Sequence, residues 1–118
     1  MTQIDEEMTK LDYLAEKVGQ LGVLMALAEE ANELSNAALK LARARKLIVH
    51  PTPVTEDDAL LNIIEEYNDV VVCALVLEHF DVPIVKPDLK RINSKLERWY
   101  DRVRKEEKDA EKRNGKSR

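Results

Sequence analysis

Glu29-Glu30-Ala31-Asn32-Glu33 lies inside a stretch whose apolar residues, Leu24, Leu27, Ala28, Ala31, Leu34, Ala38 and Leu41, recur every three or four positions. That period marks one face of an α-helix. A second acidic run, Glu65-Glu66-Tyr67-Asn68-Asp69, sits in another such stretch, with Leu60, Ile63, Ile64, Tyr67, Val70, Val71 and Ala74. No Lys or Arg occurs between Lys17 and Lys40 or between Lys46 and Lys86, so no cation one turn away neutralises either run. Glu29 with Glu33, and Glu65 with Asp69, are i,i+4 like-charge pairs that cost an isolated helix about 0.2–0.5 kcal/mol each. Repulsion tolerated twice points to a compensating divalent cation held between two helices.

The rest of the chain continues the helical pattern. Ile4, Met8, Leu11, Leu14 and Val18 predict a first helix, and Gly19 and Gly22 predict a bend before the second. Lys40, Arg43, Arg45 and Lys46 place cations where the second helix ends and its dipole favours them. His50-Pro51-Thr52-Pro53 predicts the main interhelical loop, because each Pro lacks a donor and displaces the preceding residue from helical geometry. Thr55 and Asp58 resemble a capping box, which starts the third helix near Glu56. From Val70 to Leu77 that helix is apolar on every side, so it is expected to be buried on every side, with a second subunit covering one of them. Asp81-Val82-Pro83 ends it. A fourth helix follows Pro87, with Leu89, Ile92, Leu96, Trp99, Tyr100 and Val103 as its apolar face. The expectation is an all-α, four-helix bundle-like fold, one domain over residues 1–104 completed by dimerisation, then a charged helical end and disordered tail over 105–118.

Composition agrees with that class. Charged residues make up 36% of the 118 residues and apolar ones 44%, with three Gly and four Pro, the profile of a helix-rich globular chain. The net charge of −4 argues against a nucleic-acid binder, which carries a strongly basic face. No apolar run approaches the roughly 20 residues that span a bilayer, and Met1–Glu7 lacks the basic start and apolar core of a signal peptide, so a cytoplasmic location with no membrane partner is expected. The single Cys73, set among Val, Ala and Leu, is read as a buried small hydrophobe. His50 and His79 are read as loop or cap residues, and Trp99 and Tyr100 as core or interface.

On a helix, residues three apart project about 60° from each other, so Glu30 with Glu33 and Glu66 with Asp69 each form a two-carboxylate claw. Glu30 follows Leu27 by three and precedes Leu34 by four; Glu66 stands in the same relation to Ile63 and Val70. Both claws border the packing stripes. If the two helices lie antiparallel, four carboxylates converge, and they cannot all stay ionised without a cation. An all-oxygen donor set suits Mg2+ or Mn2+. A di-iron centre would need Glu-x-x-His on two helices, and neither His50 nor His79 stands three residues after a Glu.

Glu30-x-x-Glu33 followed by Glu66-x-x-Asp69, with Glu29 completing a Glu-Glu-x-x-Glu pattern, resembles the signature of the MazG-like all-alpha nucleoside triphosphate pyrophosphohydrolases over roughly residues 20–104. The resemblance implies a Mg2+-dependent enzyme, with Mn2+ as a substitute, that cleaves an NTP or dNTP between the α and β phosphates. It implies that Glu30, Glu33, Glu66 and Asp69 ligate metal and that Glu29 orients or deprotonates the attacking water. The triphosphate also needs fixed cations, expected to be Lys95 and Arg98, with Arg91 and Arg102 in reserve. A homodimer or homotetramer follows from the same resemblance. Two alternatives stand beside it: a phosphoribosyl-ATP pyrophosphohydrolase-like enzyme, and a helical regulatory oligomer without catalysis.

Overall fold

A computed structural model describes residues 3–49 and 54–116 of the chain, and among them it is all-helical. Helix α1 spans Gln3–Ala44, α2 spans Glu56–Leu77 and continues into a 3-10 turn over Glu78–Phe80, and α3 spans Leu89–Lys116. The chain divides into two compact units, Met1–Val85 and Lys86–Arg118. The loop expected at His50-Pro51-Thr52-Pro53, and the side chains of Ile4 and Met8, lie outside the described residues. No described helix is long and apolar enough to cross a membrane.

In the first unit the expected bend is present and falls on one glycine. Gly19 has φ 83° and ψ 159°, so α1 is two helical limbs joined at that residue, whereas Gly22 stays helical. Backbone of this kind is essentially restricted to glycine. The kink brings Leu11 and Ala15 of the first limb, together with Val23 and Leu27 of the second, onto Val76, Leu77, Phe80 and Val82. Ala15 and Leu77 are fully enclosed there. His79, in the 3-10 turn, hydrogen-bonds the Asp12 carboxylate at 2.9 Å and ties the first limb to the end of α2.

The second limb runs antiparallel to α2. Val23 meets Val76 and Leu77 near one end, and the Arg45 guanidinium meets Glu56 at 2.8 Å at the other. The core-facing series on the second limb reads Val23, Leu27, Glu30, Leu34, Ala37 and Leu41; on α2 it reads Ala59, Ile63, Glu66, Val70, Ala74 and Leu77. Steps of three and four run unbroken through both. The expected stripe on the second helix is therefore rotated: Leu24, Ala28, Ala31 and Ala38 are exposed, and Val23 and Ala37 are buried instead. Apolar residues cover much of this helix, so spacing alone does not choose between faces.

The ends of the helices follow local chemistry. The Thr55 hydroxyl caps α2 by accepting the Asp58 N–H at 3.3 Å, as the capping-box reading expects. After α1, Lys46 adopts φ 59°, and the N–H groups of Lys46 and Leu47 donate to the carbonyls of Arg43 and Ala42 at 3.0 and 2.9 Å. This is a Schellman ending with lysine at the position glycine usually takes. Asp81, with φ 58°, closes the turn after α2, and Asp88 opens α3 by accepting the Arg91 N–H at 3.0 Å.

Two burial expectations are corrected. Val70–Leu77 is not enclosed on all sides: Ala74, Val76 and Leu77 are buried, but Val72 is 52% exposed. One antiparallel neighbour covers one face of a helix and leaves the opposite face open. Cys73 is half-buried rather than enclosed. In the second unit, which holds α3, Leu89, Ile92, Leu96, Trp99, Tyr100 and Val103 are exposed. The helix continues past residue 105 to Lys116, where fraying was expected. Opposite charges spaced three apart support it, Arg104 to Glu107 at 3.3 Å being one pair.

Gly19 provides a direct test of the kink. A Cβ at Gly19 meets no atom within 4 Å, so Gly19→Ala carries backbone strain alone. Urea titration is expected to show a loss of about 1–3 kcal/mol; an unchanged midpoint would mean that the two limbs do not need this geometry.

Candidate metal centre

Glu30 and Glu66 occupy core-facing positions on two antiparallel helices, and Asp69 lies one turn beyond Glu66 on the flank of α2. Their packing brings the acids together. Glu30, Glu66 and Asp69 each offer a carboxylate oxygen, and the three lie within 4.8 Å of one another. Opposite ligands of an octahedral Mg2+ stand about 4.2 Å apart, so small side-chain rotations close the set. Glu30 and Glu66 are half-buried, and Asp69 is exposed. Among the described residues, none of the ion pairs involves these three acids.

The electrostatics reflect this grouping. The Glu30 carboxyl is held above its ordinary value of 4.5, first by partial loss of water and then by the negative charges of Asp69, Glu66, Glu33 and Glu29. The Cys73 thiol, one turn beyond Asp69, is pushed up by partial burial and by Glu30 and Asp69. A thiol kept protonated beside carboxylates is a poor nucleophile.

Three of the four carboxylates expected to converge do so. Glu33 is exposed and stands outside the close group, because it projects about 60° around the helix from Glu30 and away from the α2-facing line. Glu29 projects further round and is exposed as well. One contributor is not apparent from acidic spacing. The Asn62 amide donates to Glu66 Oε1 at 3.4 Å and helps fix that carboxylate. An amide one turn before an acid on a core-facing line is the available sequence signal, and it is a faint one.

Lys95 and Arg98 belong to the Lys86–Arg118 unit. They share an open concavity of about 610 Å³ with Asp88, Lys90, Arg91 and Ser94. Arg91 is engaged by Asp88 at 2.9 Å. Lys95 and Arg98 also line a second concavity, with Trp99 and Arg102.

The carboxylate set fits a hard divalent cation: it is all oxygen and draws on two elements. Glu30, Glu66 and Asp69 are the residues that would hold it. No protein-family profile, curated protein or solved structure matches this chain.

A raised carboxyl pKa means that ionised Glu30 opposes folding. That cost is absent below its unfolded value and complete above its raised one. Metal-free Glu30→Gln protein is therefore expected to melt higher than the unsubstituted protein at neutral pH, and the gap is expected to close as pH falls towards about 4. Calorimetry in chelator checks this; a variant less stable across the whole range would contradict it.

Proposed function

We propose that this chain is a Mg2+-dependent nucleoside triphosphate pyrophosphohydrolase that converts an NTP or dNTP to the monophosphate and pyrophosphate. The observation that carries the reading is the meeting of Glu30, Glu66 and Asp69 within 4.8 Å, from two helices, among residues otherwise suited to a core. The likeness of Glu29-Glu30-x-x-Glu33 and Glu66-x-x-Asp69 to the MazG-like signature supports the same chemistry.

In this reading Glu30, Glu66 and Asp69 are the principal metal ligands, and Glu33 joins them by a change of rotamer. Mg2+ held there, or Mn2+ in its place, would supply positive charge for phosphate oxygens and would acidify an attacking water. Glu29 accepts the proton of that water as its oxygen bonds to the α-phosphorus. The bond to the bridging oxygen breaks, and pyrophosphate leaves with the electron pair. Lys95 and Arg98 hold the excess negative charge of the triphosphate, a role suited to their fixed positive charge. The protein works in the cytoplasm as a homodimer or homotetramer. Oligomerisation is supported by the number of large apolar side chains left exposed, Leu21, Met25, Leu61, Tyr67 and Trp99 among them.

Phosphorus NMR of a panel of canonical and modified nucleoside triphosphates with Mg2+ is expected to show pyrophosphate, not orthophosphate. Asp69→Ala and Glu66→Ala are expected to lose at least about 100-fold in turnover with helical circular dichroism unchanged. Wild-type turnover in either variant would remove the assignment.

Ligand binding also raises native-state stability. Millimolar Mg2+ or Mn2+ is expected to raise the melting temperature of the unsubstituted protein and to leave that of Glu30→Gln nearly unchanged. Equal shifts in both would place the ion elsewhere, and no shift in either would favour a helical regulatory oligomer without catalysis.

A further inference from the structure

The first limb of α1 packs on the end of α2. Leu11 and Ala15 meet Val76, Leu77, Phe80 and Val82 there, beside Val23 and Leu27 of the second limb, and Asp12 meets His79 at 2.9 Å. One residue turns the limb onto them. Inside α1 the backbone departs from helical geometry at Gly19, with φ 83° and ψ 159°, a region that glycine enters freely and other residues do not.

Gly22 serves the same turn. A Cβ at Gly22 would stand 2.7 Å from Val18 Cγ1, well inside the separation at which two carbon atoms attract, and a valine in a helix has little χ1 freedom with which to move away. In an uninterrupted helix the Cβ atoms of residues four apart lie about 5–6 Å from each other. Both glycines therefore suit the turned form, and a straight helix needs neither.

A straight α1 cannot keep the limb on its own chain. At 1.5 Å per residue, Leu11 and Ala15 would lie about 18 and 12 Å beyond Val23 along the axis, whereas Val76 and Leu77 pack beside Val23. Only the α2 end of another copy can then receive them. Straightening without such a receiver would bare Ala15 and Leu77, both fully enclosed in the turned form, so the straight form regains its lost burial only in a pair.

We propose that α1 is a two-state element: turned at Gly19 it closes on its own chain, and straightened it exchanges its first limb with a second copy. Each limb then makes on the partner the contacts it makes at home. The exchange needs no surface beyond the one already buried, and the backbone change is confined to the hinge. Rising concentration favours the exchanged pair, while the two glycines, poor formers of a straight helix, oppose it. This inference concerns the Met1–Val85 unit alone and rests neither on the chemistry nor on the oligomer proposed above.

Two single-cysteine chains test it, Asp12→Cys in one and His79→Cys in the other, both with Cys73→Ser, refolded together and oxidised. A mixed disulfide reports the limb of one copy on the α2 end of the other. Its yield is expected to rise with concentration, and to rise further when Gly19→Ala and Gly22→Ala are added to both chains, since alanine favours the straight helix and strains the turned one. By sedimentation, the dissociation constant of the exchanged pair is expected to fall about 100-fold or more in the alanine variant. The stability that Gly19→Ala loses in dilute solution is expected to return as concentration rises. Absence of the mixed disulfide from the alanine variant, an unchanged dissociation constant, or loss of its helical circular dichroism would each overturn the inference, and none of them bears on the carboxylate site.

Discussion

The antiparallel packing of the second limb of α1 on α2 is the constraint on which the rest of the first unit depends. It runs through a continuous three-and-four series on each helix, and each series includes one glutamate at a position that geometry reserves for an apolar side chain. Burying even half of a carboxylate without a cation is costly, and Glu30 faces Glu66 and Asp69 with none paired to it among the described residues. Cores do not retain such an arrangement for stability. Sites of function commonly hold the strain that the surrounding packing over-determines, and here Val23, Leu27, Leu34 and Ala37 on one side, with Ile63, Val70 and Leu77 on the other, hold the two acids in register.

The kink at Gly19 serves the same end. A straight helix of 42 residues would extend about 63 Å and leave its first four turns without a partner. Turned at Gly19, the first limb instead covers Val76, Leu77, Phe80 and Val82, and the Asp12–His79 contact fixes it. Within this unit, Leu60, Leu61, Ile64 and Tyr67 of α2 remain exposed.

Charge is partitioned as sharply as hydrophobicity. The Met1–Val85 unit, with the carboxylate group, carries 6 Lys and Arg against 16 Asp and Glu, a net charge of −10, and the Lys86–Arg118 unit carries 13 against 7, a net of +6.

The sequence alone determined the all-helical class, the bend at the glycines, the start of α2 at Thr55 and its end before Asp81. These are local matters, set by periodicity, capping and the backbone limits of Gly and Pro. It also marked Glu30, Glu66 and Asp69, because acidic spacing against an apolar period is visible in one dimension. Which face of each helix became core was decided only by tertiary packing. Both the second limb and α2 carry apolar residues around much of their circumference, and the choice of Val23 and Ala37 over Leu24 and Ala38 depends on what α2 presents across the gap. That same choice of face put Glu30 towards α2 and left Glu33 and Glu29 exposed. Spacing of three or four places side chains on a common face, but only the neighbouring helix fixes which of them meet.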